Sequence, residues 1–267
     1  MSSKVDTVLI TGASSGIGEA LAWQFAAHGN NLVLVARREK QLTSLKNALV
    51  ERHGVNVTTH PADLSLVGAA EELQRSLQRG ATTIDILVNN AGVLEHGAFS
   101  EISGENHQRM VQLNVSGLTD MLFHFLPPML ERGHGRILNV ASIAAFMPIP
   151  GLATYAATKA YVLSLSEALA EETRGSGVSV TVLCPGFTAT NMFATAKSGN
   201  SALEKMPRIL VGDVEAVAQQ AYKGCMNGTP VVVPGSVNLA TTLTARAMPK
   251  WLVRRLNGLV GRSTIKN

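Results

Sequence analysis

The sequence predicts an α/β domain of the doubly wound kind: a seven-stranded, mostly parallel sheet with helices on both faces. Three observations predict it. Short apolar runs rich in β-branched residues alternate along the chain with longer segments of helical period, the pattern of βαβ units around a buried sheet. A glycine-rich turn at Gly12, Gly16 and Gly18 separates the first such run from the first helical segment. The 267 residues show no compositional break, which fits one core better than two.

Strands are expected at 7–10, 32–35, 55–60, 84–88, 136–140, 178–183 and 231–233. Helices are expected at 16–28, 39–52, 66–79, over a long stretch within 105–131, and at 154–174 and 214–226. Pro127-Pro128 should end or kink the fourth, because proline lacks an N–H and its ring clashes with the preceding turn. Right-handed crossovers then place a ligand at the carboxyl ends of the strands, where the strand order reverses. Two segments fall outside the alternation, 187–212 and everything after Pro234.

Composition narrows the function classes. No charge-free apolar run of roughly 18 residues is present, so a spanning helix is not expected. Met1 to Asp6 holds no apolar run with a cleavage site, so no signal peptide is expected. Cys184 and Cys225 are the only cysteines. They suggest a reducing, cytoplasmic setting and neither a disulfide framework nor a metal site. The net charge of +4 is unevenly placed: Glu215 is the last acid, and seven basic residues follow it. No aromatic–basic interleaving accompanies that charge, so nucleic acid is set aside.

The glycine turn follows a strand and opens a helix. Gly12, Gly16 and Gly18 permit a tight turn and close backbone approach. With Ser14, Ser15 and Ile17 they put a helix N-terminus, with free N–H groups and a positive dipole end, where a pyrophosphate can bind. About 20 residues further on, a ribose-reading side chain is expected at the end of the second strand. An acid there would suit NAD; here stand Arg37 and Arg38, whose guanidiniums suit the 2′-phosphate of NADP. Asp63, followed by Leu64, closes the third strand and reads equally as an adenine ligand or a helix N-cap. Asn89, Asn90, Ala91 and Gly92 end the fourth strand, with short side chains that let backbone approach the cofactor.

Tyr155 and Lys159 stand four apart on an expected helix, so phenol and ammonium share a face. An ammonium beside a phenol is expected to lower its pKa toward the working pH. Ser142 lies thirteen residues before the tyrosine.

In this order and spacing the motifs resemble the short-chain dehydrogenase/reductase family of the type near 250 residues, over residues 7 to about 192. The resemblance implies a Rossmann fold and a catalytic tetrad of Asn114, Ser142, Tyr155 and Lys159. By that likeness Tyr155 is the general acid in carbonyl reduction, and Ser142 holds the substrate oxygen. Lys159 bonds the nicotinamide ribose, and Asn114 fixes a water linking it to solvent. Pro185, Gly186, Thr188 and Thr190 resemble the carboxamide-binding turn, and the following loop, with Met192, Phe193 and Met206, resembles a substrate lid. The expected division is 1–235 as the NADP-binding and catalytic domain, with the lid at about 187–212, and 236–267 as a basic extension.

That extension is a departure, since many tetrameric relatives stop shortly after the last strand. A homodimer or another homo-oligomer is expected. Pro249 is positioned to open a helix with Leu252, Val253, Leu256, Leu259 and Val260 on one side and Lys250, Arg254, Arg255 and Arg262 on the other. Packing on the same domain or a partner subunit is the first reading, and peripheral membrane contact the second. The expected activity is NADP(H)-dependent reduction of a lipophilic ketone or aldehyde. The alternatives are a 3-oxoacyl-thioester reductase, an NAD-linked alcohol dehydrogenase and a non-catalytic dinucleotide sensor.

Overall fold

The computed structural model describes residues 5–188 and 212–249, together with 251 and 255. Seven strands form one sheet: β1 (Thr7–Thr11), β2 (Asn31–Ala36), β3 (Val57–Pro61), β4 (Ile86–Asn89), β5 (Gly135–Val140), β6 (Val178–Leu183) and β7 (Val231–Val232). Their order is β3-β2-β1-β4-β5-β6-β7. Every pairing is parallel. The order reverses between β1 and β4, so the crevice for a ligand opens at the carboxyl ends of these two strands.

Alternation along each strand divides the core in two. Val8 and Ile10 of β1 and Leu32 and Leu34 of β2 pack with Leu21, Phe25 and Ala221. Leu9, Val33 and Val35 point the other way, onto Leu73, Leu77, Met121, Phe125 and Val162. The helices supplying these layers are α1 (Gly16–Ala27), α2 (Glu39–His53) and α7 (Val214–Met226) on one face. On the other lie α3 (Ala69–Arg79), α5 (Leu118–Glu131) and α6 (Ala153–Glu172). With both faces covered, the central strands β1, β2 and β4 read as near-continuous apolar runs.

Four details depart from the sequence reading. The single long helix expected within 105–131 is α4 (Gly104–Val111), a π-helical turn (Gln112–Gly117) and then α5. Pro127 and Pro128 neither end nor interrupt α5, which runs to Glu131. Proline at 128 withdraws the N–H that would bond the His124 carbonyl, and Gln74 Nε2 of α3 donates to that carbonyl instead. Helix α3 starts at Ala69 and not at 66, with Gly68 as its N-cap. An unpredicted helix, α8 (Ser236–Ala247), follows β7. It is tied down by Asn238, whose Nδ2 donates to the Pro234 carbonyl at 2.7 Å.

Most of the expected lid, Thr190, and most of the basic helix expected after Pro249 lie outside the described residues. The base of the lid segment is closed by a bridge in which Gly212 N donates to the Phe187 carbonyl at 2.7 Å. Among the described residues no helix is long and apolar enough to cross a membrane.

Candidate active site

The turn after β1 is locked to the turn after β4. Thr11 Oγ1 accepts from the backbone N–H groups of Asn90 and Ala91 at 2.9 and 3.0 Å. Asn90 Nδ2 donates back to the carbonyls of Thr11 and Gly12, at 2.9 and 3.3 Å. This packing, more than backbone freedom, requires the glycines. A Cβ on Gly18 would stand 2.5 Å from the Gly12 carbonyl, and one on Gly12 only 2.9 Å from Ala91 Cα. Gly12 also holds a φ of +65°, and Gly16 one of +60°. Helix α1 opens at Gly16 behind an extended Ser15 that makes no side-chain cap. Its first N–H groups are thus offered to a ligand, and a cradle this closely drawn fits a diphosphate.

Beside that turn stand the two arginines. Arg38 crosses over it, donating from Nε and Nη2 to Ser14 Oγ at 3.2 and 3.0 Å and from Nη2 to Ser15 Oγ at 2.8 Å. Arg37 turns to Asp63, with 3.7 Å between Nη1 and Oδ2. Asp63 is not a helix cap: its Oδ1 accepts from Ser65 N and Oγ at 3.0 and 2.7 Å. Partial burial opposes its ionisation, but the Ser65 bonds and the charges of Arg37 and Arg109 outweigh that and hold the carboxyl below its ordinary value. Leu64 is buried, with its carbonyl oxygen 2.3 Å from where a Cβ on Gly117 would lie.

At the carboxyl ends of β4, β5 and β6 the other candidates converge. Ser142 leaves β5 and caps a 3-10 turn (Ile143–Phe146), its Oγ accepting from Ala144 N at 3.1 Å. Tyr155 and Lys159 occupy successive turns of α6 and are 8 % and 5 % exposed. The Tyr155 hydroxyl is hydrogen-bonded with Ser142. Lys159 Nζ donates to the Val140 carbonyl at 2.8 Å and lies 5.8 Å from the centre of the Tyr155 ring. Asn114 sits in the π turn with all its polar atoms engaged: Oδ1 accepts from Val93 N at 2.9 Å, and Nδ2 donates to the Val93 carbonyl and Thr158 Oγ1. Gly92 leaves room for this pair, since a Cβ there would meet Asn114 Oδ1 at 3.2 Å and Lys159 Nζ at 3.5 Å.

Burial governs both titrations. It pushes the Tyr155 phenol up to about 12, with the Ser142 bond pulling only partly back. It brings the Lys159 amine down to about 8, against a smaller upward pull from Cys184. The expectation that the ammonium lowers the phenol's pKa is therefore corrected for the free protein. Desolvation of the buried phenol dominates, and Lys159 is turned to a carbonyl instead.

Pro185 closes the site from β6, its carbonyl accepting from Ile143 N at 3.0 Å. Gly186 lies against Asn238 of α8: a Cβ there would stand 2.5 Å from Asn238 Nδ2 and would push that side chain away. Thr188 is buried, and its Oγ1 donates to the Gly186 carbonyl at 3.1 Å. Thr158 is a site residue that sequence reasoning missed. It accepts from Asn114 and donates to the Tyr155 carbonyl at 2.7 Å, fixing α6 to the π turn. A hydroxyl between Tyr155 and Lys159 was the available signal, though helical threonines usually bond their own backbone. Around Tyr155 the lining is apolar: Met110, Ala144, Ala156, Val93, Leu94, Ile149 and Leu152.

Comparison with known proteins agrees with this geometry. The short chain dehydrogenase family matches residues 6–201. The NADP-dependent 3-hydroxy acid dehydrogenase YdfG of Salmonella typhi is 37% identical over 191 residues, covering 71% of this chain and 75% of the relative. A solved short-chain dehydrogenase from Sphingobium yanoikuyae, in complex with NADPH, is 33% identical with a TM-score of 0.80, covering 92% of this chain and 96% of the other. The bulky-bulky ketone specific alcohol dehydrogenase from Comamonas testosteroni is 32% identical with a TM-score of 0.77, at 91% and 92% coverage. A shared fold alone would leave the chemistry open. The family match over most of the chain, joined to these identities, makes this protein a member of the short-chain dehydrogenase/reductase family and an oxidoreductase.

Proposed function

We propose that the protein reduces a lipophilic ketone or aldehyde with NADPH, Tyr155 serving as the proton donor. The observation that carries this reading is the Tyr155 hydroxyl, held by Ser142 inside an apolar cluster and protonated up to about pH 12. A buried phenol that keeps its proton suits delivery to a carbonyl oxygen. Ser142 polarises that oxygen, and the apolar lining favours a substrate with little polarity beyond the carbonyl. The bulky-bulky ketone specific relative supports the same substrate class.

The dinucleotide supplies the hydride when bound. Gly12, Ser14, Ser15, Gly16, Ile17 and Gly18 hold its diphosphate, and Arg37 and Arg38 its 2′-phosphate. Asp63 and Leu64 take the adenine, and Asn90, Ala91 and Gly92 line the floor. Lys159 takes the nicotinamide ribose, and Pro185, Gly186, Thr188 and Thr190 the carboxamide. The NADPH-bound relative and the NADP-dependent one support the choice of cofactor. We take 1–235 as the working domain and 236–267 as an extension. The partners at this level are a small carbonyl or alcohol and a second copy of the chain. The two buried cysteines, neither in a disulfide, support a reducing, cytoplasmic setting.

The test is a panel of bulky aliphatic and aromatic ketones and 3-oxo acids with NADPH, followed by loss of nicotinamide absorbance. Tyr155→Phe is expected to lower kcat by about 10²–10⁴-fold while NADPH binding, read by fluorescence, is retained. Full activity in that variant would refute the proton-donor role.

A further inference from the structure

The solvent-exposed arc of α8 carries large apolar side chains, Leu239 and Leu243 on one flank and Val237 on the other. Val237, Leu239 and Leu243 are 60%, 45% and 57% exposed, and Trp251, shortly beyond the helix, is 56% exposed. The opposite face holds the helix down: Asn238 lies against Gly186, and Thr242 is buried. The threonines on the outward face ask nothing of water. Thr241 Oγ1 donates to the Val237 carbonyl and Thr244 Oγ1 to the Ala240 carbonyl, both at 2.8 Å. A face whose hydroxyls are satisfied within the helix can leave water without orphaned donors.

Charge indicates what covers it. From Ser236 onward the sequence carries Arg246, Lys250, Arg254, Arg255, Arg262 and Lys266, and no acidic residue. By sequence the whole segment from 236 onward carries cations and no anion, so an anionic surface complements it better than the same segment of a second copy does. An anionic, apolar and laterally featureless surface answers all the observations. A basic segment complements its headgroups, exposed aliphatic side chains suit its acyl boundary, and the exposed Trp251 suits the interface between the two.

We propose that α8 docks its outward face on an anionic lipid bilayer. Because α8 packs against Gly186 and the turn that follows Ser142, docking brings that side of the candidate site to the lipid surface. The inference stands apart from the substrate reading, since NADPH oxidation in solution does not require the helix to dock.

The experiment is flotation of the full chain with phosphatidylcholine vesicles, with and without phosphatidylglycerol, across a salt series. Binding is expected to the anionic vesicles, about tenfold weaker without phosphatidylglycerol and falling as salt rises. Leu239→Glu with Leu243→Glu is expected to weaken it about tenfold further while circular dichroism shows an unchanged fold. Brominated lipids in the anionic vesicles should quench the fluorescence of Trp251, with Trp251→Phe as the control. Absence of flotation, equal binding to both vesicle types, or full binding by the double variant would each overturn the proposal. So would a dimer in light scattering that the double variant dissolves while the parent does not float, since a second copy would then cover the face.

Discussion

Tyr155 and Lys159 carry the same signal in sequence and in structure, yet the structure changes what they do. Both side chains are almost wholly buried, and each is pushed toward its neutral form. For Lys159 the consequence is a stability that depends on pH. The fold binds fewer protons there than the unfolded chain between about pH 8 and 10.5, so stability rises with pH across that window. For Tyr155 the fold binds more protons than the unfolded chain between pH 10 and about 12, and stability falls there. The lysine's contribution is on the order of 3 kcal/mol. Burial also pushes the Cys225 thiol up to about 12, which lowers stability above pH 9. The lysine is therefore read by difference: in urea titrations the stability of the parent relative to Lys159→Met should rise from pH 8 to 10, and a constant difference would refute the assignment. Arg38 allows a second test at this scale. Losing its charge-assisted bonds to a 2′-phosphate should raise KM for NADPH by about 10–100-fold in Arg38→Ala, with KM for NADH little changed. An equal effect on both cofactors would mean that Arg38 only braces Ser14 and Ser15.

The π-helical turn between α4 and α5 is the element that assembles the site, because it sets Asn114 between Val93 and Thr158. Gly117 ends the turn and lets it lie against the Leu64 carbonyl, where a Cβ would come within 2.3 Å of a backbone atom that cannot swing away. Gly117→Ala should cost about 1–3 kcal/mol, lowering Tm by about 2–4 °C for each, and weaken cofactor binding by displacing Asp63 and Leu64. Gly104→Ala, where a Cβ meets nothing within 4 Å, should leave Tm unchanged. Equal melting of the two variants would remove the packing argument. A Cβ that meets backbone is decided by tertiary approach, so neither outcome follows from helix propensity.

Across the whole molecule, the outer stripe of α5 lies on one helical face: Thr119, Phe123, Leu126 and Leu130. Phe123 is 72% exposed, and Tyr161 of α6 joins the stripe through a 2.9 Å bond to Thr119. A monomer rarely leaves such a patch uncovered, and we propose this face as the contact of a homodimer. Phe123→Glu should convert the dimer to monomer in light scattering. A dimer that survives the change would place the interface elsewhere.

The sequence by itself determined the seven strands, the place of the glycine turn and the spacing of Tyr155 and Lys159, because periodicity and local turn chemistry act over a few residues. It also supplied the charge of the extension, which is a sum over side chains. It could not supply Gln74 capping the carbonyl freed by Pro128, Asn238 pressing on Gly186, or α8 with its leucines outward. Each of these joins residues distant in the chain or turns a face toward solvent. The titration of Tyr155 likewise belonged to tertiary structure: four residues of spacing brought the lysine near, but the depth of burial on α6 decided that desolvation wins.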